Sequence, residues 1–251
     1  MRIEFIGAAI AGACMVAATP AMADSVEAAA TTSTSNSNYR PLVLAPKTRV
    51  PASHPLIVNR GASPDVFGTV ALNAGVTFYD ARFRRVASTD NRDPMVLRLA
   101  APAAGLDPVA KLKMVQHEVN QTVRWMHDLD NMGVADFWAN AGETLRRGTG
   151  DSEDIAIAKM QVLKAAGFDP KDLFISIGRH NVRGAHVLLL ARTASGFFVL
   201  DDTVQDLMTP TQHARFTPVM TLSQGHSWIH GRRVGTPRVA SASSTKAKQA
   251  R

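Results

Sequence analysis

The fold of this chain is decided by the stretch Gly148-Thr149-Gly150-Asp151-Ser152-Glu153-Asp154, which continues as Ile155-Ala156-Ile157-Ala158-Lys159. Two glycines predict a turn, and Asp151-Ser152 then begin a helix. Its apolar residues recur at three- and four-residue spacing, which places one face in the core; they are Ile155, Ala158, Val162, Leu163 and Ala166. Gly167 is expected to end this helix. Since the helix begins at Asp151-Ser152, Ser152 is expected in its first turn.

A second helix is predicted upstream of this stretch, between residues 109 and 129. Asp107 is its expected N-cap and Pro108 lies in its first turn. Its apolar stripe consists of Leu112, Val115, Val119, Val123 and Met126. Residues 133–148 then form a connector. Earlier in the chain, residues 66–79 have the composition of a strand, and residues 80–93 carry several charges around a possible turn.

Downstream, the apolar pattern changes from the period of a helix to that of a strand. Residues 173–177, 185–191 and 196–200 are short apolar runs, and residues 192–196 form a hairpin signal between the last two. Helices followed by antiparallel strands predict an α+β domain, with the helices packed on one face of an antiparallel sheet. After Trp228 the pattern is lost, and we expect the order to be lost with it.

Three polar residues in this arrangement predict a nucleophilic site. Ser152 lies at a helix N-terminus, which favours negative charge. His186 opens one predicted strand and Asp201 closes the next, so pairing of the two strands makes them neighbours, as a base and the carboxylate that orients it must be. Each residue alone has a simpler explanation, since Ser152 can be a helix cap, His186 a structural histidine and Asp201 the end of a strand.

The motif resembles the signature of the bacterial transglutaminase-like cysteine peptidases, a family of the transglutaminase-like and papain-like superfamily. The similarity lies in Trp138, Glu143, Leu145, the Gly148–Lys159 stretch, His186-Val187-Leu188 and Val199-Leu200-Asp201, and it covers residues 109–228. It implies a papain-like α+β domain that acts on a protein or peptide, for example an envelope or surface protein. The implied roles are nucleophile for Ser152, base for His186 and orienter for Asp201.

The resemblance also implies a possible calcium site. Some periplasmic members bind calcium through the acidic residues that flank the nucleophile, which here are Asp151 and Glu153. Carboxylate oxygens suit this ion. The alternative is that both are ordinary acids at the start of a helix, where the helix dipole favours them without a metal.

The departures from the family pattern concern the reaction itself. Ser152 stands where the family has its nucleophilic cysteine, Asp202 where it often has asparagine, and Asn140-Ala141 where it often has Thr-Pro. A serine hydroxyl cannot become an anion as readily as a thiol and must lose its proton during attack. The sequence therefore predicts an inactive or impaired homologue that binds a protein or peptide in the retained cleft. The alternative is an active peptidase or acyl transferase that uses Ser152, His186 and Asp201.

The first residues predict export to the periplasm or the exterior. Residues 1–23 combine Arg2, an apolar run and Ala21-Met22-Ala23, as in a cleaved signal peptide. A membrane anchor would need a longer apolar run, and a lipoprotein would use Cys14. Since Cys14 is the one cysteine of the chain, the mature protein would have no thiol and no disulfide.

The ends of the chain differ from its centre. Residues 24–64 are predicted to be a flexible arm, residues 65–230 the folded domain and residues 231–251 a basic disordered tail. The formal net charge of +7 equals the seven lysines and arginines that follow Asp206, a segment without acidic residues. Such a tail is expected to be solubilising, although it could bind an anionic envelope surface. No nucleic-acid partner is expected, because no aromatic residues accompany the basic ones.

One further metal hypothesis arises from the spacing of two histidines. His226 and His230 are four residues apart, which on a helix would turn both towards one ion. Gly225 and Gly231 flank them and oppose a helix, and no third ligand is evident. Zinc is therefore not predicted.

Overall fold

A computed structural model describes residues 63–87 and 92–234, together with the strand Arg2–Phe5. Six α-helices lie in this part of the chain: α1 (Asp80–Ala87), α2 (Pro94–Ala100), α3 (Pro108–Thr122), α4 (Asp128–Met132), α5 (Ala141–Arg147) and α6 (Ser152–Ala165). The strands are β1 (Arg2–Phe5), β2 (Val70–Asn73), β3 (Arg124–Trp125), β4 (Thr149–Gly150), β5 (Leu173–His180), β6 (Gly184–Thr193), β7 (Gly196–Leu200), β8 (Phe216–Ser223) and β9 (His226–Val234). Short 3-10 turns occupy Ala101–Ala103 and Pro170–Asp172.

The main sheet is antiparallel. Its strands follow the order β1-β9-β8-β5-β6-β7, with β2 also paired to β9. The hairpin between β6 and β7 closes at Thr193 and Gly196, as the sequence predicts, and its register sets Leu189 opposite Leu200. A separate parallel pair joins β3 to β4. The architecture is thus the predicted α+β fold.

Alternation along β5 divides the core into two layers, because successive side chains point to opposite faces of a sheet. Leu173, Ile175 and Ile177 join the helices in one hydrophobic cluster. Phe174 faces the other side and packs with Leu188, Leu190, Val199, Phe216 and Trp228 under Val66 and Ala71. Covering both faces explains why the central strands read as nearly continuous apolar runs rather than alternating ones.

Helix α6 lies in the middle of the first layer. Its residues from Asp154 to Leu163 are all buried, and it contacts α2, α3 and α5 as well as β6. A helix buried on all sides needs few polar residues, so its sequence is apolar around most of its circumference. This packing fixes the N-terminus of α6, and therefore Ser152, against the sheet.

Several predicted elements are wrong in extent. The helix expected over residues 109–129 ends at Thr122, because Val123 is extended and Arg124–Trp125 pairs with Thr149–Gly150. The charged segment from residue 80 is helix α1, with Asp80 in its first turn, rather than a turn. Only Val70–Asn73 of the strand-like residues 66–79 forms a strand.

The chain also stays ordered beyond Trp228, where loss of order was expected. Strand β9 continues to Val234, so the described domain includes residues 231–234 of the predicted tail. Its last residues pair with β1, which lies inside the predicted signal peptide and would be lost on cleavage, whereas the pairing of Gly231 with Val70 of β2 would remain. The rest of the tail, the arm up to residue 62 and most of the predicted signal peptide lie outside the described residues. In the part that the structure describes, there is no helix of the length and apolarity that crossing a membrane requires.

Candidate functional site

The turn before α6 depends on two glycines. Gly148 ends α5 with a positive φ of 68°, a conformation that glycine adopts without strain. Gly150 has no room for a side chain, since a Cβ there would lie 2.7 Å from the Cβ of Asp154. The amide N–H of Met126 donates to the carbonyl oxygen of Gly150 at 2.9 Å, which ties this turn to β3. The Gly-x-Gly-Asp pattern thus fixes where α6 begins.

Ser152 is the first residue of α6 and is 7% exposed. Its Oγ accepts a hydrogen bond from the backbone N–H of Val187 at 3.2 Å, which places it beside the strand that carries His186. The hydroxyl donates to Glu153 Oε2 at 3.3 Å. Among the described residues, it makes no hydrogen bond to His186.

His186 and Asp201 lie in contact, as the pairing of β6 and β7 predicts. The Nε2 of His186 is 2.8 Å from Asp201 Oδ1, and both side chains are almost completely buried. The backbone N–H of Thr203 donates to the same Asp201 oxygen at 2.9 Å. With Nε2 committed to the carboxylate, Nδ1 is the ring nitrogen available for proton transfer, an arrangement suited to an oriented base.

A second histidine holds the other oxygen of Asp201. The Nε2 of His213 lies 2.8 Å from Asp201 Oδ2. Burial alone would raise the pKa of Asp201, but the two imidazoles beside its oxygens, His186 and His213, outweigh burial and hold that pKa below its ordinary value. Asp201 thus has an imidazole beside each oxygen: a hydrogen bond joins Oδ1 to His186, whereas the His213 contact at Oδ2 is close but lacks the direction of a hydrogen bond.

Additional charges surround this pair. Asp202 Oδ1 is 3.5 Å from His186 Nε2 and Asp202 Oδ2 is 3.7 Å from Arg183. Lys159 is fully buried on α6, and burial lowers its pKa to about 7 against the opposing effect of Asp202 and Asp201. Burial also raises the pKa of Asp202. His186, Asp201 and Asp202 offer three ligand atoms within 4.8 Å, but Arg183 already supplies a positive charge beside Asp202.

Helix α3 holds the backbone at the end of β7. The side-chain amide of Gln116 donates to the carbonyl oxygens of Asp201 and Val204, at 2.8 and 2.6 Å. Asn120, one turn later, donates to the same two oxygens at 3.1 and 2.9 Å. Because these carbonyls leave the sheet after β7, side-chain donors replace a strand partner and fix the position of Asp201.

An acidic cluster lies on the other side of Ser152. Asp128, Asp151 and Glu153 each present a carboxylate oxygen, and these atoms lie within 4.8 Å of one another. Calcium binds oxygens at about 2.3–2.6 Å, so two ligands on opposite sides of one ion lie about 4.6–5.2 Å apart. The cluster therefore has dimensions that a calcium ion can span.

The electrostatics of this cluster favour a cation or protons. Burial, and then repulsion from Glu153, raise the pKa of Asp151, and burial also raises the pKa of Asp128 and of Glu153. Asp128 Oδ1 is buried without a hydrogen-bond partner among the described residues. An unsatisfied buried carboxylate oxygen is costly, and a metal ion at this point would satisfy it.

The structure brings the predicted site residues together and adds others. Asp151 and Glu153 lie in the acidic cluster, and Ser152 contacts both Glu153 of that cluster and the backbone of Val187, the residue after His186. Asp128 and His213 were not predicted as site residues, since each belongs to a loop or short helix whose position is set by tertiary packing. His226 and His230 do not share a site: His226 is exposed, whereas buried His230 bonds to Thr69 and Thr221.

Comparison with known proteins decides the family. The profile described as bacterial transglutaminase-like cysteine proteinase (BTLCP) matches residues 88–230, which is more than half of the 251 residues. This chain belongs to the bacterial transglutaminase-like cysteine proteinase family. The match includes Ser152, His186, Asp201 and the acidic cluster. Among curated proteins, no sequence matches this member of the family.

Solved structures of LapG from Legionella pneumophila are similar to this family member. One is 23% identical over 53% of this chain and 72% of LapG, with a TM-score of 0.47. The calcium-bound form is 21% identical over 59% of this chain and 86% of LapG, with a TM-score of 0.48. The EGTA-treated form is 21% identical over 62% of this chain and 87% of LapG, also with a TM-score of 0.48.

Proposed function

We propose that this protein is an exported, catalytically impaired member of the proteinase family that binds a protein or peptide segment at the site around Ser152. Family membership supports a polypeptide as the ligand. The sequence of residues 1–23 supports export to the periplasm or the exterior. An envelope or surface protein is the partner that this location favours.

The observation that carries impaired catalysis is the hydrogen bonding of Ser152. Its hydroxyl donates to Glu153 and accepts from the Val187 backbone, so its proton is directed to a carboxylate rather than to the His186 ring. A serine must transfer that proton to a base during attack. A thiol at this helix N-terminus would ionise far more readily, because the helix end and a nearby imidazolium stabilise the thiolate.

The competing proposal is an active hydrolase or acyl transferase with Ser152 as nucleophile, His186 as base and Asp201 as orienter. The 2.8 Å contact between His186 and Asp201 favours it, because a binding protein does not require an oriented base. In that mechanism Ser152 Oγ attacks the scissile carbonyl and His186 passes the proton to the leaving amine. The Val187 N–H, which donates to Ser152 Oγ, is a backbone donor next to the reacting oxygen.

Covalent labelling separates the two proposals. A fluorophosphonate probe is expected to leave the full-length protein unlabelled, while the Ser152→Cys variant is expected to react with a thiol-directed probe and cleave a peptide substrate. Ser152→Ala is the matched control for both probes. Labelling that is lost in Ser152→Ala would establish the active enzyme and refute impaired catalysis.

We also propose that Asp128, Asp151 and Glu153 hold a calcium ion. The orphaned Asp128 oxygen, the all-carboxylate ligand set and the spacing of the oxygens support this assignment. Calcium would supply positive charge next to Ser152. The residues of this chain provide the ligands from two elements, α4 and the start of α6, so binding would join these elements.

A further inference from the structure

We propose that His213 is a positioning residue, which holds the second oxygen of Asp201 and so keeps the Asp201 carboxylate aimed at the His186 ring. The inference rests on the proposed site, in which Asp201 orients His186. It assigns a role to a histidine in the loop between β7 and β8, distant in sequence from the Ser152 motif.

The geometry at Asp201 supports this role. A carboxylate rotates about its terminal torsion with broad preference, so the hydrogen bonds from His186 and Thr203, which both reach Oδ1, do not by themselves fix the position of Oδ2. Here Oδ1 faces His186 Nε2 at 2.8 Å and Oδ2 faces His213 Nε2 at 2.8 Å. With an imidazole against each oxygen, the carboxylate cannot turn away from His186 unless it also loses the 2.8 Å contact with His213.

His213 is itself held in a fixed position. Its backbone N–H donates to the carbonyl oxygen of Thr209 at 3.0 Å, which closes a turn. The N–H of Val199 on β7 donates to the carbonyl oxygen of Met208 at 2.7 Å, which fastens that loop to the sheet. The His213 ring is 4% exposed, and its centroid lies 6.5 Å from that of Phe216. The loop therefore delivers the imidazole to Asp201.

The surrounding charges make this support specific to His213. A buried carboxylate without partners is strongly unfavourable. The other ionisable groups around the cluster belong to different elements and are Asp202, Lys159, His180, Arg183 and Arg215. In the described part of the chain, Asp201 Oδ2 has no ion-pair partner other than His213, since the contact from His186 is at Oδ1.

The test measures the His186 ring in the protein with its native Ser152. Nitrogen-15 and proton NMR of labelled histidines report the tautomer of His186 and the solvent exchange of its Nε2–H. His213→Gln places a side-chain N–H near the position of the imidazole Nε2, whereas the shorter His213→Asn does not reach Asp201. We expect His213→Gln to keep the protected Nε2–H and His213→Asn to accelerate its exchange by about tenfold or more.

The matched control is His180→Asn. His180 is a buried histidine whose ring centroid lies 5.5 Å from that of His186, and its Nδ1 accepts from the backbone of Val182 and Arg183. This variant should leave the His186 exchange rate within about threefold of the parent, as expected when a ring contact is lost but the hydrogen bond of His186 to Asp201 is kept. Comparable exchange in His213→Asn and the parent, or equal acceleration in His213→Gln and His213→Asn, would overturn the positioning role.

The outcome is independent of catalysis at Ser152. The NMR observables do not involve residue 152, so they decide the role of His213 whether or not Ser152 is labelled. Circular dichroism of both His213 variants verifies that the fold is intact. If the protein is catalytically silent, the active-enzyme alternative fails. The role of His213 is still confirmed in that case if protection of the His186 Nε2–H depends on His213.

Discussion

At the residue scale, single side chains at the N-terminus of α6 have environments that their sequence neighbours do not suggest. Asp154 is completely buried, and its Oδ1 accepts a hydrogen bond from the Ala139 backbone at 2.7 Å. Its Oδ2 has no partner among the described residues. Burial raises the pKa of Asp154 to about 7, so this carboxyl favours its protonated form well above the ordinary range.

The raised pKa of Asp154 predicts how the free energy of unfolding changes with pH. The folded state holds the Asp154 proton up to about pH 7, whereas the unfolded chain releases it near the ordinary value of 3.8. The stability that Asp154 contributes to the fold is therefore present below about pH 4 and is lost as the pH rises towards 7. In calcium-free buffer, Asp154→Asn should remove most of this loss, which is about 4 kcal/mol at pH 8, since the amide mimics the protonated carboxyl.

Urea denaturation at pH 4, 6 and 8 measures the effect. Asp206→Asn, which changes an exposed carboxylate, serves as the control. Parallel pH profiles for Asp154→Asn and the parent would show that Asp154 is ionised in the folded protein at neutral pH.

At the scale of elements, the acidic cluster joins two helices that are distant in sequence. Asp128 begins α4, while Asp151 is the N-cap of α6 and Glu153 lies in its first turn. The parallel pairing of Arg124–Trp125 with Thr149–Gly150 brings the two helix starts together. A cation between them would therefore restrain both α4 and the turn that carries Ser152.

The calcium proposal predicts a site that depends on Asp128. Isothermal titration should detect one calcium ion per chain, and Asp128→Asn should weaken binding by about tenfold or more, because calcium affinity follows the number of charged ligands. The control is Asp130→Asn, which removes an exposed carboxylate from the same helix. Equal calcium affinity in the parent and Asp128→Asn would exclude Asp128 as a ligand.

At the scale of the whole molecule, β9 is the strand that closes the fold at its C-terminal end. It pairs with β8, with β2 and with β1. Its Trp228 packs in the hydrophobic layer opposite the helices. The predicted boundary at residue 230 would cut this strand before its last pairs.

Two truncations test this boundary. Removal of residues 235–251, which the sequence predicts to be a disordered tail, should leave the unfolding free energy within about 0.5 kcal/mol of the parent. Removal of residues 226–251 should abolish cooperative unfolding, because it exposes β8 and deletes Trp228. Thermal denaturation followed by circular dichroism distinguishes the two. The variant without residues 235–251 also tests the proposed role of the tail. Loss of envelope association in cell fractionation would indicate that residues 235–251 bind an anionic surface.

The sequence alone determined the family motif, the α+β class, helix α6 and the hairpin of β6 and β7. These features depend on local signals: two glycines that fix a turn, a helical apolar period and a turn between apolar runs. The sequence also predicted that His186 and Asp201 lie close together, because strand pairing across a short hairpin is a local contact.

Only the tertiary structure decided the surroundings of these residues. Asp128 reaches Asp151 through the pairing of β3 with β4, His213 reaches Asp201 through a loop fastened to β7, and Lys159 is buried by packing on all sides of α6. No periodic pattern in the sequence predicts these contacts. Each joins segments that are brought together by the packed core rather than by neighbouring residues. The chain thus encodes the turn before Ser152 locally, while the charges around that turn are a property of the whole fold.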